Sequence, residues 1–211
     1  MKQLEQVKNC YDATAANYAE NFYDELSHKS LDRLLLKRFA DENSDKGTIA
    51  DLGCGCGHAT KFLKDSGAKN IVGIDLSTEM IKTALLINGD INFEVGNILS
   101  LEKPDEEFAA ILAFYAIVHF TLEELEKVFG EIYRVLKSGG QFLFSFHVGT
   151  QENHLDEFLN EKVDVTFYFF EVETVLEMLE KTGFQIAETV VRDPYKNVEY
   201  PSKRAYITAE K

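Results

Sequence analysis

The sequence lacks the features that mark membrane-spanning and secreted proteins. No apolar run approaches the ~20 residues that a membrane-spanning helix requires. The N-terminal stretch MKQLEQVKNCYD has no apolar core of the kind found in a secretory signal. Cysteine is scarce: there are three, an odd number, and a bridge within Cys54-x-Cys56 would be strained. These absences predict a cytoplasmic protein that has no membrane partner.

Basic residues are also few compared with acidic ones. The chain has 22 Lys and Arg against 36 Asp and Glu, and its formal net charge is −14. A protein that grips a phosphate backbone usually presents a basic face. The balance therefore argues against a nucleic-acid partner, although it does not exclude a local basic patch.

Short apolar segments alternate with helical patterns along most of the chain. Because parallel strands need helical crossovers, this order predicts a parallel sheet with helices on both faces. We find no internal repeat and no linker, and we predict one domain over residues 1–211. The predicted strands are TIADLG, NIVGIDLS (70–77), INFEVG (91–96), FAAILAF (108–114) and GGQFLFSF (139–146).

Three further segments complete the predicted organisation. Residues 1–40 are expected to form an N-terminal helical cap of two helices, with a break around Ser27–Ser30. The segment 147–170 is polar and then aromatic, and it is long for a plain connection, so it is a possible lid. The final FQIAETVVRD and KRAYITAE segments are joined by too short a loop for a crossover helix and should pair antiparallel.

The stretch IADLGCGCGHAT (49–60) places three glycines directly after a predicted strand. Taken alone, this is either a turn or a bare backbone against which a ligand lies. Asp75 ends the next strand, twenty residues beyond Gly55, where a carboxylate can accept hydrogen bonds from ribose hydroxyls. The third small residue of a dinucleotide motif is missing, and Asp51 would repel a pyrophosphate but attract an ammonium. This pattern favours S-adenosylmethionine over a nicotinamide dinucleotide.

Five motifs, in order, resemble those of the class I (Rossmann-like) S-adenosylmethionine-dependent methyltransferases of the bacterial small-molecule type. They are DLGCGCGHAT, GIDLSTEMI, VGNILSL, AFYAIVHF and RVLKSGGQFLFSF. The resemblance implies a doubly wound α/β fold with a seven-stranded, mostly parallel sheet whose last strand is antiparallel. It also implies transfer of a methyl group from S-adenosylmethionine to a small-molecule acceptor by in-line displacement.

The resemblance also implies which residues contact the cofactor. The methionine portion would meet Asp51, Gly53 and Gly55, and the ribose would meet Asp75. Cys54, between the two glycines, is also expected at the cofactor, with its small side chain packed. The adenine would lie among Leu76, Met80, Asn97 and Ile98, where Asn97 replaces the Asp that is common in the family. The sulfonium would lie near Ala113, Phe114 and Tyr115, and Tyr18 would either close over it or pack in the core.

Few side chains are candidates for catalysis, because the methyl donor is already activated. His119 follows the fourth strand and is either a general base or a packed histidine; His147 is a weaker candidate. Cys54, Cys56 and His58 lack the spacing of a zinc site, so no metal is expected. Arg192 would either meet an anionic acceptor or form a surface ion pair.

Two other functions stay open at this point. The chain could be a non-catalytic S-adenosylmethionine-binding regulatory protein that keeps the cofactor site without an acceptor site. It could also be a nicotinamide-dependent oxidoreductase, because that class shares the glycine turn and the acidic residue after the second strand.

Overall fold

The computed structural model describes residues 2–211, so Met1, the first residue of the predicted domain, lies outside the described residues. The helices are α1 Lys2–Phe22, α2 Ser30–Asn43, α3 His58–Asp65, α4 Thr78–Ile87, α5 Leu122–Val135 and α6 Val172–Thr182. The strands are β1 Ile49–Leu52, β2 Ile71–Asp75, β3 Asn92–Val95, β4 Phe108–Phe114, β5 Leu136–His147, β6 Glu152–Phe158, β7 Glu161–Tyr168, β8 Gln185–Arg192 and β9 Arg204–Glu210. Short 3₁₀ turns cover Glu25–His28 and Ile117–His119.

Seven strands form one sheet in the order β3-β2-β1-β4-β5-β9-β8. Strands β1 to β5 pair in parallel, whereas β9 is antiparallel to both β5 and β8. All residues of β1 are buried, as expected for a central parallel strand covered on both faces. The predicted fold class, including the antiparallel last strand, is confirmed.

The two faces of the sheet carry separate apolar cores, because successive strand residues point to opposite sides. One core packs β-strand side chains against α5 and α6, with Phe129 and Leu179 fully buried. The other packs against α2, α3 and α4, where Leu36 and Leu63 are fully buried. No helix among residues 2–211 has both the length and the apolar character needed to cross a membrane.

Capping residues in the sequence determine where α4 and α5 begin, and both helices start next to loops that line the candidate site. The Ser77 hydroxyl accepts a hydrogen bond from the Met80 amide at 3.0 Å and caps α4. Thr121 and Glu124 form a reciprocal capping box at the start of α5. Strand β5 begins at Leu136, three residues before the predicted start at residue 139.

The segment 147–170 folds as a β-hairpin rather than as a long irregular connection. Strands β6 and β7 pair antiparallel in a sheet of their own. Leu159 and Asn160 form the turn with φ of 53° and 65°, the left-handed conformation that two-residue hairpin turns favour. The hairpin lies against α1, where the Asn17 amide donates to the Leu159 carbonyl at 2.9 Å. Helix α1 and the hairpin together therefore cover one edge of the main sheet.

Candidate active site

A cavity of about 340 Å³ lies at the edge where the parallel strands end, beneath α1 and the hairpin. Ligands of open α/β sheets bind at this edge, and the volume is within the range of small-molecule sites. Most residues expected to contact a cofactor line it. They are Tyr18, Gly53, Gly55, Asp75, Leu76, Met80, Asn97, Ile98, Phe114 and Tyr115.

The glycine loop supplies a wall of bare backbone. Gly53 and Gly55 have φ of 71° and 55°, a region that side-chain-bearing residues avoid. A Cβ atom on Gly53 would lie 2.5 Å from the Cβ atom of Ala116, so the loop packs directly on the segment that follows β4. The Gly53 amide donates to the Ile74 carbonyl at 2.7 Å, which fixes the loop to β2.

Asp75 joins the glycine loop to the start of α4. One carboxylate oxygen accepts from the Gly55 amide and the other from the Ser77 amide, each at 2.8 Å. Burial raises the pKa of Asp75, while these two amide hydrogen bonds oppose the rise. Since each carboxylate oxygen can accept a second hydrogen bond, Asp75 keeps acceptor capacity toward the cavity.

Three residues expected at the cofactor do not line the cavity. The Asp51 side chain turns toward α3 and accepts a hydrogen bond from the Thr60 hydroxyl at 2.6 Å, and burial raises the pKa of Asp51 to about 6. Cys54 packs in the core beneath α3, and Ala113 packs in the core beneath α5. Hydrogen bonding and core packing therefore turn these three side chains away from the cavity, and contact of Asp51, Cys54 and Ala113 with a cofactor stays a prediction.

Asn97 presents an amide donor to the cavity. Its side-chain oxygen accepts from the Leu99 amide at 2.9 Å, which fixes the orientation of the group and leaves Nδ2 on the other side. Met80, which is fully buried, and Ile98, which is 9% exposed, also line the cavity. This part of the cavity is apolar with one polar edge, a composition suited to a purine ring.

His119 meets a tyrosine from the N-terminal helix. Its Nδ1 lies 3.3 Å from the Thr166 carbonyl oxygen, which requires a proton on Nδ1, and its Nε2 accepts from the Tyr11 hydroxyl at 2.7 Å. Burial lowers the pKa of His119 to about 4, so the imidazole is neutral at pH 7. The sequence alone does not identify Tyr11 as a site residue, because its partner His119 is 108 residues away along the chain.

The cavity continues past Tyr115 to an inner end that lies beside β9. Tyr115 has φ of 54° directly after β4, and its amide donates to the Ser145 carbonyl at 3.1 Å. This left-handed conformation turns the ring toward Lys29, whose Nζ lies 5.6 Å from the ring centroid. His147 also lines this end and bonds the Ser202 hydroxyl at 2.8 Å.

Arg192 does not form the surface ion pair that was the plainer expectation. It binds both carboxylate oxygens of Glu199 at 2.7 and 2.8 Å and one oxygen of Asp32 at 2.9 Å. The Glu199 and Asp32 side chains are each 1% exposed. The loop between β8 and β9 folds back over Arg192, which makes this a buried ion network behind the inner end.

The remaining histidines and cysteines lie outside the cavity lining. His58 begins α3 and pairs with Glu25 at 3.2 Å, while His28 and His154 are exposed. All three cysteines are free thiols in the interior. Within residues 2–211, no group of His, Cys, Asp and Glu side chains has the arrangement of a metal site.

The aromatic run FYFF (167–170) contributes both to the cavity wall and to the core. Phe167 and Phe169 line the cavity, whereas Phe170 is 3% exposed and packs in the core beneath α5 and α6. Because strand side chains alternate, a single run supplies both a pocket wall and core packing.

Comparison with known proteins agrees with this geometry. Residues 49–140 match the family model described as a methyltransferase domain. The chain is 32% identical over 117 residues to the uncharacterized methyltransferase YcgJ of Bacillus subtilis, covering 53% of this chain and 45% of that protein. It is 26% identical over 172 residues to phosphoethanolamine N-methyltransferase of Plasmodium falciparum, covering 80% and 64%. The chain thus spans less than two thirds of the length of these relatives.

Among solved structures, the fold is similar to that of magnesium protoporphyrin IX methyltransferase from Synechocystis, crystallised with S-adenosylmethionine. The TM-score is 0.75 at 16% identity, and the match covers 100% of this chain and 98% of that one. At this identity the likeness concerns the fold alone. The acceptors in the names of these proteins differ, so the comparisons do not fix an acceptor.

Proposed function

We propose that this chain is a class I S-adenosylmethionine-dependent methyltransferase, and that it transfers a methyl group from S-adenosylmethionine to a small-molecule acceptor. One observation carries the proposal. A single cavity connects the glycine loop and Asp75 with an aromatic chamber that contains Tyr11 and His119. A donor and an acceptor can therefore meet inside the protein.

The residues at the first end of the cavity fit the cofactor. We assign Asp75 to the ribose hydroxyls and the bare backbone of Gly53 and Gly55 to the methionine portion. Met80 and Asn97 would bind the apolar face and the polar edge of the adenine. When bound, S-adenosylmethionine supplies a methyl group that the adjacent sulfonium already activates.

The chain's own contribution is to align the acceptor and to exclude water. Tyr11 and His119 are placed to hold a proton at the acceptor. Neutral His119 Nε2 accepts the Tyr11 proton, so the tyrosine oxygen can in turn accept a hydrogen bond from an acceptor hydroxyl or amine. As the acceptor atom forms its new bond, its O–H or N–H proton passes to the Tyr11 oxygen while the Tyr11 proton passes to Nε2 of His119, which then holds the released proton.

Two features favour a small acceptor over a polymer. The aromatic chamber is roofed by α1 and the hairpin, with Tyr11 and Phe158 ring centroids 6.5 Å apart and Phe158 and Phe167 centroids 6.0 Å apart. The net charge of −14 also opposes a nucleic-acid substrate. These rings contact one another and form an apolar roof beside His119, which suits a small acceptor.

The proposal is tested by binding and by turnover. We expect calorimetry to show S-adenosylmethionine binding, and Asp75→Ala to weaken it by about 10- to 100-fold, or ~1–3 kcal/mol. Asp45→Ala, which removes an exposed carboxylate paired with Lys69, is the matched control and should leave the affinity unchanged.

Turnover then separates the alternatives. We expect S-adenosylhomocysteine and a methylated product to accumulate in equal amounts with at least one member of an acceptor panel. Tight cofactor binding without transfer to any acceptor would favour a non-catalytic binding protein. Binding of NAD without S-adenosylmethionine would favour an oxidoreductase and overturn the proposal.

A further inference from the structure

We infer that Asp12, which lies in α1 outside the cavity lining, is a positioning residue for the cofactor. Through Ser77 it holds the Asp75 carboxylate in the orientation that binds the ribose. The inference rests on the proposed function, because Asp75 is assigned there to the ribose hydroxyls. It extends the cofactor site to a side chain on another helix that the cofactor itself does not touch.

The Asp12 side chain binds the first turn of α4. One carboxylate oxygen accepts hydrogen bonds from the Ser77 hydroxyl at 2.7 Å and from the Glu79 amide at 3.2 Å, and the other oxygen pairs with Lys8. Amides in the first turn of a helix have no partner within the helix, and a negative charge there interacts favourably with the helix dipole. Ser77 already accepts from the Met80 amide, so Asp12 satisfies a second amide of the same turn. Helix α1 thus supplies part of the cap of α4.

Ser77 connects this cap to Asp75. Its amide donates to one Asp75 oxygen at 2.8 Å, while its hydroxyl donates to Asp12. One serine can serve two carboxylates in this way because its amide and its hydroxyl each donate a hydrogen. The other Asp75 oxygen accepts from the Gly55 amide. A shift of Ser77 would therefore remove one of the amide hydrogen bonds that orient Asp75.

The apolar contact between α1 and α4 is small. Its buried members are Ala15 and Ala19 of α1, Met80 of α4 and Cys56, and partly buried tyrosines of α1 pack against them. Hydrophobic stabilisation follows the apolar area that is buried, and alanine side chains bury little. We therefore expect loss of the Asp12 hydrogen bonds to shift the start of α4 relative to α1, because packing does not fix their relative position.

A second contact between the same two helices provides a comparison. The hydroxyl of Tyr23, directly after α1, donates to Asn88, directly after α4. The Asp12 contact reaches Ser77 at the start of α4, whereas the Tyr23 contact lies at the far end. The two contacts therefore separate an effect on the ribose site from an effect on the attachment of α1.

The test measures the binding of two ligands by calorimetry. They are S-adenosylhomocysteine and its 2′,3′-dideoxy analogue, which lacks the ribose hydroxyls. We expect Asp12→Ala to weaken S-adenosylhomocysteine by about 10-fold, the scale of one hydrogen bond, and to change the affinity for the analogue by less than about 2-fold. A purely structural role would change both affinities equally or neither. Equal losses for the two ligands, or an unchanged affinity for S-adenosylhomocysteine, would overturn the inference.

Asp12→Asn tests whether the oxygen acceptor is the important feature. The asparagine oxygen can accept the same two hydrogen bonds, so we expect the affinity for S-adenosylhomocysteine to stay within about 3-fold of the wild type. A loss as large as that of Asp12→Ala would contradict this role of the oxygen. If Asp12→Ala does not fold, Ser77→Ala takes its place, because it removes the hydroxyl that joins Asp12 to α4, and it should show the same ribose-dependent loss.

Tyr23→Phe is the matched control. It removes the hydrogen bond at the far end of the two helices and should leave the affinities for both ligands unchanged. A loss equal to that of Asp12→Ala would show that only the attachment of α1 is important, and it would contradict positioning through Ser77.

The result is distinguishable from failure of the proposed function. If S-adenosylhomocysteine does not bind to the wild type, or if the wild type binds both ligands equally, the assigned cofactor site fails. If the wild type prefers S-adenosylhomocysteine and Asp12→Ala keeps the full preference, only the inference about Asp12 fails.

Discussion

The Tyr11 hydroxyl lies 2.7 Å from Nε2 of His119, although 108 residues separate them. Their rings meet edge to face with centroids 5.2 Å apart. The pair ties α1 to the turn after β4, and it lines the cavity where an acceptor would lie. One contact therefore closes this side of the cavity, and it is the contact to which we assign the proton acceptor.

Removing the Tyr11 hydroxyl tests the catalytic part of this contact. We expect Tyr11→Phe to lower kcat by about 10²- to 10³-fold, within the range of general acid–base contributions, because the ring stays but the proton acceptor is lost. Affinity for S-adenosylmethionine should change little. Tyr23→Phe is the control. It removes a partly buried tyrosine hydroxyl that donates to Asn88, away from His119, and it should leave kcat unchanged. A normal kcat for Tyr11→Phe would show that the Tyr11–His119 hydrogen bond has only a structural role.

Acidification should weaken the fold through His119. Its pKa is about 4 in the folded protein against 6.5 in the unfolded chain, so between these values the unfolded chain binds more protons. The stability due to neutral His119 is thus present above pH 6.5 and is lost as the pH falls toward 4. Relative to His119→Asn, the wild type should lose about 2 kcal/mol of unfolding free energy between pH 7.5 and pH 5.

Denaturant titrations of both proteins at the two pH values measure this difference. Other titrating groups are common to both chains and cancel in the comparison. An identical pH dependence for wild type and His119→Asn would show that His119 is not held neutral by burial.

The glycine loop gives a paired prediction on backbone conformation. Gly53→Ala places a Cβ atom 2.5 Å from Ala116 at a φ of 71°, so we expect destabilisation by more than the ~1–2 kcal/mol of a left-handed residue. Gly130 is exposed in the middle of α5 with open space around it. Gly130→Ala should therefore stabilise the fold by about 0.5–1 kcal/mol. Thermal unfolding distinguishes the two, and a tolerated Gly53→Ala would mean that the loop is free to move.

The buried ion network of Arg192, Glu199 and Asp32 should be important for stability. Arg192→Met leaves the buried carboxylates of Glu199 and Asp32 without their main cation, and we expect a loss of about 3–5 kcal/mol. Arg38→Met, which breaks an exposed pair with Glu188, should cost at most about 1 kcal/mol. Chemical denaturation of the two variants provides the comparison. Equal losses would contradict the burial of the Arg192 network.

The sequence was most informative where a signal is local. Strand β4 matches its predicted range of 108–114, because a fully apolar run bounded by turns has one simple interpretation. The caps that Ser77 and Thr121 provide are equally local signals, since capping depends on residues three positions apart. Gly55 and Asp75 share a hydrogen bond because the ends of adjacent parallel strands meet at one edge.

What the sequence missed depends on contacts between distant segments. Asp51 looked like a ligand-facing carboxylate, but Thr60 binds its side chain. Arg192 looked exposed, yet Asp32 in α2 and Glu199 in the following loop enclose it. The β6–β7 hairpin was not predicted, because its alternation is short and largely polar and only packing on α1 distinguishes it from a loop.

The most direct measurement of the central claim is a crystal structure of the protein with S-adenosylhomocysteine. We expect the ribose hydroxyls to lie within hydrogen-bond distance of Asp75 and the adenine to lie between Met80 and Asn97. The sulfur is expected near Tyr115, with the inner end of the cavity open beside it. Electron density for the ligand outside this cavity, or a cavity closed by the glycine loop itself, would contradict the account.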